Sequence, residues 1–166
     1  CKDQVVFEQS EVLTQSGGTF SVFTPYKNAW LKRLQPFHLQ PYPIEGRTQS
    51  LVKPSSTELQ AIAQCGTTPA SLESMGFERT NLLTMVKPGT AGALATLDDF
   101  LKRIDRYKTA RDFPAVRGVS YLSVHMRFGT LSVRHAAKAA WDRVQADGSE
   151  GAMGWLNELI WRDFYF

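Results

Sequence analysis

The last sixteen residues of the chain carry side chains whose types and spacing suit a binding site. On an α-helix of about 100° per residue, one side of this stretch is an ordinary apolar stripe. Two indoles and two opposite charges fall on the other side: Trp155, Glu158, Trp161 and Arg162. Charged helix faces usually meet water, where two indoles are seldom placed. Indoles can stack on a flat ring while charged groups bond to its edge, so this face predicts a pocket for a polar-edged ring system.

An alternative interpretation of the same stretch needs no ligand. The helix could be buried on both sides, with Glu158 and Arg162 forming an ion pair four residues apart. Such pairs within one helix are common. The helix alone leaves both interpretations open.

The composition indicates a folded protein with an uneven charge distribution. The chain has 166 residues, of which 43% are hydrophobic and 21% charged, which fits one globular domain or parts of two. The net charge is only +3, yet residues 101–138 contain nine Lys and Arg against Asp105 and Asp112 alone. This stretch favours phosphates or other anions, although a solvated helix surface would have the same composition.

Cysteine usage and hydropathy predict the surroundings of the protein. Cys1 and Cys65 form no metal or disulfide pattern, which predicts a reducing cytoplasm. No apolar run is long enough to span a bilayer and no signal peptide is visible, so no membrane partner is expected. The chain begins with Cys and ends in a predicted helix without a capping residue, so we expect a fragment of a longer protein.

The first part of the chain has the pattern of a mixed α/β region. Short strands are predicted at residues 4–8, 11–13 and 20–23, with a turn at residues 16–18. Thr24 is the predicted N-cap of a helix over residues 26–34, with Pro25 in the first helical position. These elements are too few to bury a core and resemble the end of an α/β domain.

Prolines interrupt every candidate element between residues 35 and 56, which predicts a linker crossing a surface. Short helices are predicted after it at residues 56–63 and 68–75. Ser55 or Ser56 is expected to cap the first of these helices.

The last eighty residues have a helical pattern. Four helices are predicted, at residues 91–107, 120–128, 133–145 and 151–166. Thr90 and Ser132 are the expected caps of the first and third helices. Pro114 and Gly118 place a loop at residues 111–118. Short connections between these helices predict an all-α assembly.

Two segments together resemble the flavin domain of the DNA photolyase and cryptochrome family. Residues 107–134 read YKTARDFPAVRGVSYLSVHMRFGTLSVR, and residues 155–165 read WLNELIWRDFY. Both are most similar to the bacterial class I cyclobutane pyrimidine dimer photolyases. Residues 22–30, VFTPYKNAW, are similar to the last helix of the N-terminal α/β domain of that family.

The resemblance implies a mainly α fold in three parts. Residues 87–166 would be the first part of the all-helical FAD-binding domain, and residues 35–86 an interdomain linker. Residues 1–34 would be the short strand–helix end of a Rossmann-like antenna domain. Most of the antenna domain and the second half of the FAD cavity would lie outside the chain.

The activity that the resemblance implies is light-driven repair of cyclobutane pyrimidine dimers. Excited reduced FAD would pass an electron to a dimer that is flipped out of the DNA, as photolyases are known to do. A folate or deazaflavin antenna chromophore, DNA containing pyrimidine dimers, a monomeric state and a bacterial cytoplasmic location at the nucleoid would accompany it. The alternatives are a cryptochrome-type photoreceptor without repair, and a light-independent helical module that binds nucleic acid through the basic stretch.

The resemblance also assigns residue roles. FAD contacts fall to Tyr107, Val119, Ser120, Tyr121, Leu122, Ser123, Trp155, Glu158 and Arg162. DNA contacts fall to Arg111, Glu158, Trp161, Arg162 and Tyr165. In the catalytic pair, Glu158 would bond to the base edge of the dimer and Trp161 would pack against it.

Elementary chemistry agrees with these roles. A diphosphate needs N–H and hydroxyl donors, which the loop of residues 119–123 offers through its backbone, Ser120 and Ser123. Thymine is an apolar slab with polar edges, which suits one indole and one carboxyl group. A protonated Glu158 in a dry pocket would donate to a carbonyl that gains negative charge. Val119 and Tyr121 depart from the Thr and Arg that are common in the family.

Overall fold

The structure is a computed structural model, and it describes residues 4–40, 45–66 and 70–166. These residues form helices, turns and irregular segments and no β-strand. They divide into two compact units. The larger unit comprises residues 4–40 and 87–166, and the smaller one comprises residues 45–66 and 70–86. The predicted domain boundaries at residues 34 and 86 stay predictions.

The helices are named in chain order. They are α1 (Phe23–Arg33), α2 (Ser56–Gln64), α3 (Leu82–Met85), α4 (Gly89–Leu101), α5 (Tyr107–Ala110), α6 (Ser123–Arg127), α7 (Val133–Asp147) and α8 (Glu150–Tyr165). Short 3-10 turns lie at Pro36–Leu39, Glu45–Ser50, Glu73–Met75 and Ile104–Arg106. The mainly α fold predicted from the sequence is therefore confirmed.

Helix α8 is the centre of the larger unit. It packs against α1, α5, α7 and the Ile104–Arg106 turn. Leu156 and Ile160 on α8 are completely buried, as are Leu97 and Phe100 on α4. Burial of each such side chain stabilises the fold by roughly 1.5–3 kcal/mol.

A close backbone approach sets the start of α8. A Cβ atom at Gly151 would lie 2.2 Å from the carbonyl oxygen of Ile104 and 2.3 Å from that of Asp105. Only glycine permits this crossing without a shift of the backbone. Ser149 caps the helix by accepting from the N–H of Ala152 at 3.2 Å, and its hydroxyl donates to the Asp105 carboxylate at 2.6 Å.

A buried carboxylate joins the other end of α8 to the start of the chain. Asp163 is 5% exposed and accepts hydrogen bonds from the backbone N–H groups of Val6 and Phe7, each at 3.1 Å from Oδ2. The indole Nε1 of Trp30 on α1 donates to the same oxygen at 2.9 Å. Burial raises the pKa of Asp163 to about 6, although these donors act in the opposite direction.

The strands predicted at residues 4–8, 11–13 and 20–23 are wrong. The backbone donors of Val6 and Phe7 point to Asp163 instead of a neighbouring strand, and α1 already begins at Phe23. The apolar residues Val5, Val6 and Phe7 are buried without belonging to a strand. The N-cap of α1 is Val22 and not the predicted Thr24. Val22 makes no side-chain cap bond.

The helix predicted at residues 91–107 is shorter than expected. Helix α4 begins at Gly89, with Pro88 as N-cap in place of the predicted Thr90. It ends at Leu101, because Arg103 leaves the helical backbone conformation with φ −130° and ψ 6°. Its guanidinium then donates to the Asp99 carbonyl at 2.7 Å, which satisfies one of the acceptors at the helix end.

The remaining predicted helices are confirmed with changed bounds, except the one predicted at residues 68–75. Of the two predicted caps of α2, Ser55 is the N-cap, and the structure adds a reciprocal capping box with Glu58. The helix predicted at residues 68–75 is reduced to the Glu73–Met75 turn, and its first two positions lie outside the described residues. The helix predicted at residues 120–128 is reduced to α6. Ser132 is the N-cap of α7 by position but makes no side-chain cap bond.

Candidate functional site

A groove of about 570 Å³ runs beside α8 in the larger unit. Its lining combines two aromatic rings with charged and amide side chains: Phe23, Lys108, Arg111, Glu150, Asn157, Glu158 and Trp161. The catalytic pair predicted from the sequence, Glu158 and Trp161, therefore shares one groove with the predicted DNA residue Arg111. The groove offers flat apolar surface and both signs of charge, which suits a polar-edged ring on a phosphate backbone.

Glu158 and Arg111 form an ion pair in this groove. Nη1 of Arg111 donates to Oε1 of Glu158, and the two side chains are 38% and 41% exposed. This bond raises the pKa of Arg111 above its ordinary value, so the guanidinium stays charged. The ion pair between Glu158 and Arg162 that the alternative interpretation predicted is replaced by this one. The exposed fraction of Glu158 also shows that its surroundings in this chain are not dry.

The indole of Trp161 is held by aromatic neighbours. The ring of Phe23 on α1 stacks on it with a centroid distance of 3.6 Å and an interplanar angle of 7°. Tyr165 lies one turn later on α8 at 5.5 Å and 19°. Stacking fixes the orientation of the half-buried indole, so Trp161 presents a defined surface to the groove.

Trp155 lies away from the groove, which corrects the prediction that both indoles share one open face. It is 2% exposed and packs against Phe100 with ring centroids 4.8 Å apart. Helix α8 is covered on two sides, because α1 packs on one part of its surface and α5 on another. The alternative interpretation of a helix buried on both sides is therefore correct for Trp155, whereas Trp161 keeps an exposed part.

Arg162 also turns away from Glu158. Its Nε donates to the backbone carbonyl of Gln4 at 3.1 Å, and Nη2 donates to the side-chain oxygen of the same residue. Tyr165, predicted to contact DNA, is 78% exposed. Arg162 thus contacts the N-terminal segment, and Tyr165 is available at the surface beside Trp161.

The loop of residues 119–123 forms a second region, separate from the groove lining. Ser120 Oγ accepts from the N–H of Leu122 at 3.5 Å, and Leu122 itself is completely buried. Tyr121 is 52% exposed and has a left-handed backbone with φ +57°, which is uncommon for a side chain of this size. Ser123 is exposed at the first position of α6. Val119 is 37% exposed.

Tyr107, the remaining predicted cofactor residue, is buried at the start of α5. Its ring packs edge-on against Phe100 at 5.9 Å, and the guanidinium of Arg111 lies 5.6 Å from its centroid. Burial raises the pKa of its phenol group. Tyr107 therefore supports Arg111, which in turn bonds to Glu158.

The structure adds groove residues that the sequence analysis did not single out. Phe23 and Asn157 belong to this group, as does Lys108, whose Nζ lies 2.7 Å from Glu150 Oε2. The buried Oδ1 atom of Asn157 has no hydrogen-bond partner among the described residues. Lys108 was detectable as part of the basic stretch. Nothing in the sequence marked Phe23 as a groove residue, because it reaches α8 across the fold.

Comparisons with known proteins agree on one family. Deoxyribodipyrimidine photo-lyases of Escherichia coli and Vibrio cholerae are each 34% identical to this chain over 98% of its length. The chain is homologous to part of a DNA photolyase. A crystal structure of a class III photolyase from Agrobacterium tumefaciens superposes with a TM-score of 0.72 at 27% identity, covering 98% of this chain. No family model matches.

The chain spans about a third of the length of the photolyases that it matches, 32% of the E. coli enzyme and 32% of the A. tumefaciens chain. The resemblance predicted from residues 107–134 and 155–165 is confirmed, and it extends over nearly the whole chain. No helix in the described part of the chain combines the length and apolar composition that crossing a bilayer requires.

Proposed function

We propose that this chain belongs to a deoxyribodipyrimidine photo-lyase, a carbon–carbon lyase that repairs cyclobutane pyrimidine dimers in DNA with light. Its partner would be DNA that contains such dimers. The observation that carries the proposal is the groove in which Glu158, Trp161 and Arg111 meet. Glu158 and Trp161 lie one turn apart on α8, and Arg111 joins them from 47 positions earlier in the chain. Their chemistry suits a base, its edge and the adjoining phosphate.

Each groove residue has a distinct part in the proposed reaction. Trp161, held by Phe23, would pack against the flipped dimer, because a fixed indole offers apolar contact without further loss of conformational freedom. Glu158 would bond to the polar base edge. Arg111 would then exchange its bond with Glu158 for a DNA phosphate or keep both, since a guanidinium has five donors.

The cofactor residues fit FAD in part. The hydroxyls of Ser120 and Ser123 and the backbone of the same loop are the donor type that a diphosphate requires. Reduced FAD, when bound and illuminated, would supply the electron that opens the two C–C bonds of the cyclobutane ring and would regain it afterwards. Trp155 is covered by Phe100, so its contribution would be to support the cavity wall.

Other features of the proposal follow from the family and not from the groove. A folate or deazaflavin antenna chromophore, a monomeric state and a cytoplasmic location at the nucleoid stay predictions. The basic residues between positions 101 and 138 would add salt-dependent affinity for DNA phosphates.

Light-dependent repair is the decisive experiment. The full-length gene product that contains these 166 residues would be mixed with reduced FAD and an oligonucleotide carrying one cyclobutane dimer. Parallel samples would be exposed to blue light or kept dark, and intact pyrimidines would be counted by chromatography. We expect repair only in the illuminated sample.

Two results would contradict the proposal. Equal conversion in light and dark would exclude a photochemical lyase. Flavin binding without repair in either sample would indicate a photoreceptor instead. An undamaged oligonucleotide of the same sequence is the control for damage caused by the light itself.

A further inference from the structure

The guanidinium of Arg103 joins the end of α4 to the start of the loop of residues 119–123. Nε donates to the carbonyl of Arg117 at 3.0 Å, and Nη2 donates to the carbonyl of Val119 at 3.1 Å. Nη1 donates to the Asp99 carbonyl at 2.7 Å and also bonds to the Asp99 carboxylate. The Arg103 side chain is only 10% exposed, and its two bonds to Asp99 are partly buried. The bonds to the carbonyls of Arg117 and Val119 lie at the surface.

We propose that Arg103 is a positioning residue for the loop of residues 119–123, which holds it in the conformation that receives the FAD diphosphate. The inference rests on the FAD binding proposed above and names the residue that prepares this site. Arg103 does not belong to the groove and is not needed there. Its effect would reach the cofactor through the backbone of Val119.

The effect of Arg103 on the loop would act through the peptide group between Val119 and Ser120. In a trans peptide the C=O and N–H groups point in opposite directions, and the described chain has no cis bond. Because Arg103 holds the carbonyl of Val119, the N–H of the next residue, Ser120, faces the opposite side. One contact with Arg103 thus sets the direction of a loop donor.

The segment before the loop has little freedom to move in compensation. A Cβ atom at Gly118 would lie 2.4 Å from the carbonyl oxygen of Ala110, so the backbone is pressed against α5. Arg103 binds the carbonyl groups on both sides of this glycine, those of Arg117 and Val119. The loop is therefore anchored at its entry by packing and by two hydrogen bonds.

Asp99 keeps the anchor in place. Its Oδ2 atom bonds to Arg103 and also lies 3.0 Å from Nη2 of Arg117. The hydrogen bond from Arg103 lowers the pKa of Asp99, so this carboxylate stays ionised at neutral pH. A planar guanidinium can reach the carboxylate and three carbonyls at once, whereas the single ammonium of a lysine cannot.

The test compares three variants of the full-length gene product. Arg103→Lys keeps the charge but loses the planar fork, and Arg103→Met removes both. Arg106→Met is the matched control. Arg103 and Arg106 both line a cavity of about 170 Å³, and Arg106 makes none of the bonds described here. Hydrogen exchange of the amides of residues 119–122 and the dissociation constant for FAD would be measured for each.

We expect both Arg103 variants to speed exchange at residues 119–122 alone and to weaken FAD binding by about tenfold, as loss of one or two charge-assisted bonds implies. The control should match the unaltered protein in both measurements. Faster exchange throughout the helices would show a general structural role and overturn the proposal. So would a mobile loop with unchanged FAD affinity, or normal behaviour of Arg103→Lys.

The two proposals fail in different ways. If the unaltered protein binds no FAD, the proposed function is contradicted, because it requires this cofactor. The positioning role in FAD binding then falls with it, even if the exchange rates show that Arg103 anchors the loop. If FAD binds equally to all variants, only the inference about Arg103 fails.

Discussion

The two sides of α8 use similar residues for different purposes. On the inner side, Trp155 is packed against Phe100 and Asp163 is surrounded by N–H donors. On the groove side, Trp161 keeps an exposed part and Glu158 meets a charged partner, Arg111. Each side therefore has one indole and one carboxylate, yet only the groove-side pair can reach a ligand.

The contrast shows that the neighbours of a side chain decide its role. Asp163 takes neutral donors from the backbone and from Trp30, so its bonds tie segments of the chain together. Glu158 is 41% exposed and bonds to Arg111, whose side chain is 38% exposed and can exchange partners. The inner pair should control stability, and the groove-side pair should control recognition.

Trp155→Ala should have the largest effect. Removal of a buried indole leaves a cavity in the core and typically costs about 3–5 kcal/mol in the free energy of unfolding. Urea unfolding of the 166-residue chain followed by circular dichroism would measure it. Trp161→Ala is the matched control, because the same substitution at a half-buried site should cost much less. Equal losses would show that the two indoles are equivalent.

Asp163→Ala should come next, with a loss of roughly 3 kcal/mol. The change strands the buried N–H donors of Val6, Phe7 and Trp30, and each unsatisfied donor typically costs about 1–3 kcal/mol. Relief of the buried charge offsets part of this loss. The same urea titration would measure it, and Glu158→Ala is the control. A stability equal to the unaltered chain would contradict the anchoring role.

The raised pKa of Asp163 predicts how stability depends on pH. Its folded value of about 6 exceeds the ordinary 3.8, so the folded state binds the proton more tightly between these values. This group should therefore add stability as the pH falls from about 6 to about 4, by at most roughly 1.4 kcal/mol per pH unit. Melting temperatures of the unaltered chain and of Asp163→Asn would be compared over this range. An equal dependence of the melting temperature on pH in both proteins would contradict the raised pKa of Asp163.

Trp161→Ala should reduce discrimination between lesion-containing and undamaged DNA by about tenfold, because stacking on an aromatic ring contributes roughly 1–3 kcal/mol per base. Fluorescence anisotropy of the full-length gene product with both oligonucleotides would give the ratio of dissociation constants. Trp161→Phe should retain most of the preference. An unchanged ratio of dissociation constants in Trp161→Ala would show that Trp161 takes no part in lesion recognition.

Glu158→Ala should have the smallest effect on binding and a larger effect on repair. A few-fold fall in repair yield per absorbed photon is expected, because the variant loses a polar group at the reacting base edge. Loss of the partner of Arg111 should change DNA affinity little, since the guanidinium can turn to a phosphate. A large loss of affinity with an unchanged yield would reverse these roles.

Local sequence signals were sufficient for most of the helices. The cap of α2 at Ser55 acts over a few residues, so a short window of sequence was enough to predict it as one of two candidates. The same holds for the core stripe of α8, where Leu156 and Ile160 are completely buried as the 3.6-residue period predicts. Three blocks of resemblance in the correct order were enough to indicate the family.

Local signals failed where a partner lies far along the chain. Residues 4–8 have β-propensity, but their donors are taken by Asp163, more than 150 positions away. Helix α4 stops early, and Arg103, which follows it, donates to the carbonyls of Arg117 and Val119, 14 and 16 positions further along the chain. Neither interaction leaves a pattern within a window of one helix or strand.

The sequence by itself predicted the helical class, the likeness to photolyases and a set of candidate residues for a flat polar ring. These depend on periodicity, residue type and order, which are properties of the linear chain. Only the tertiary structure decided which indole of α8 is buried and which faces a groove, and that Glu158 pairs with Arg111. The physical reason is that helical periodicity specifies the angle between side chains, whereas the helices packed around α8 decide which angles remain open to a ligand.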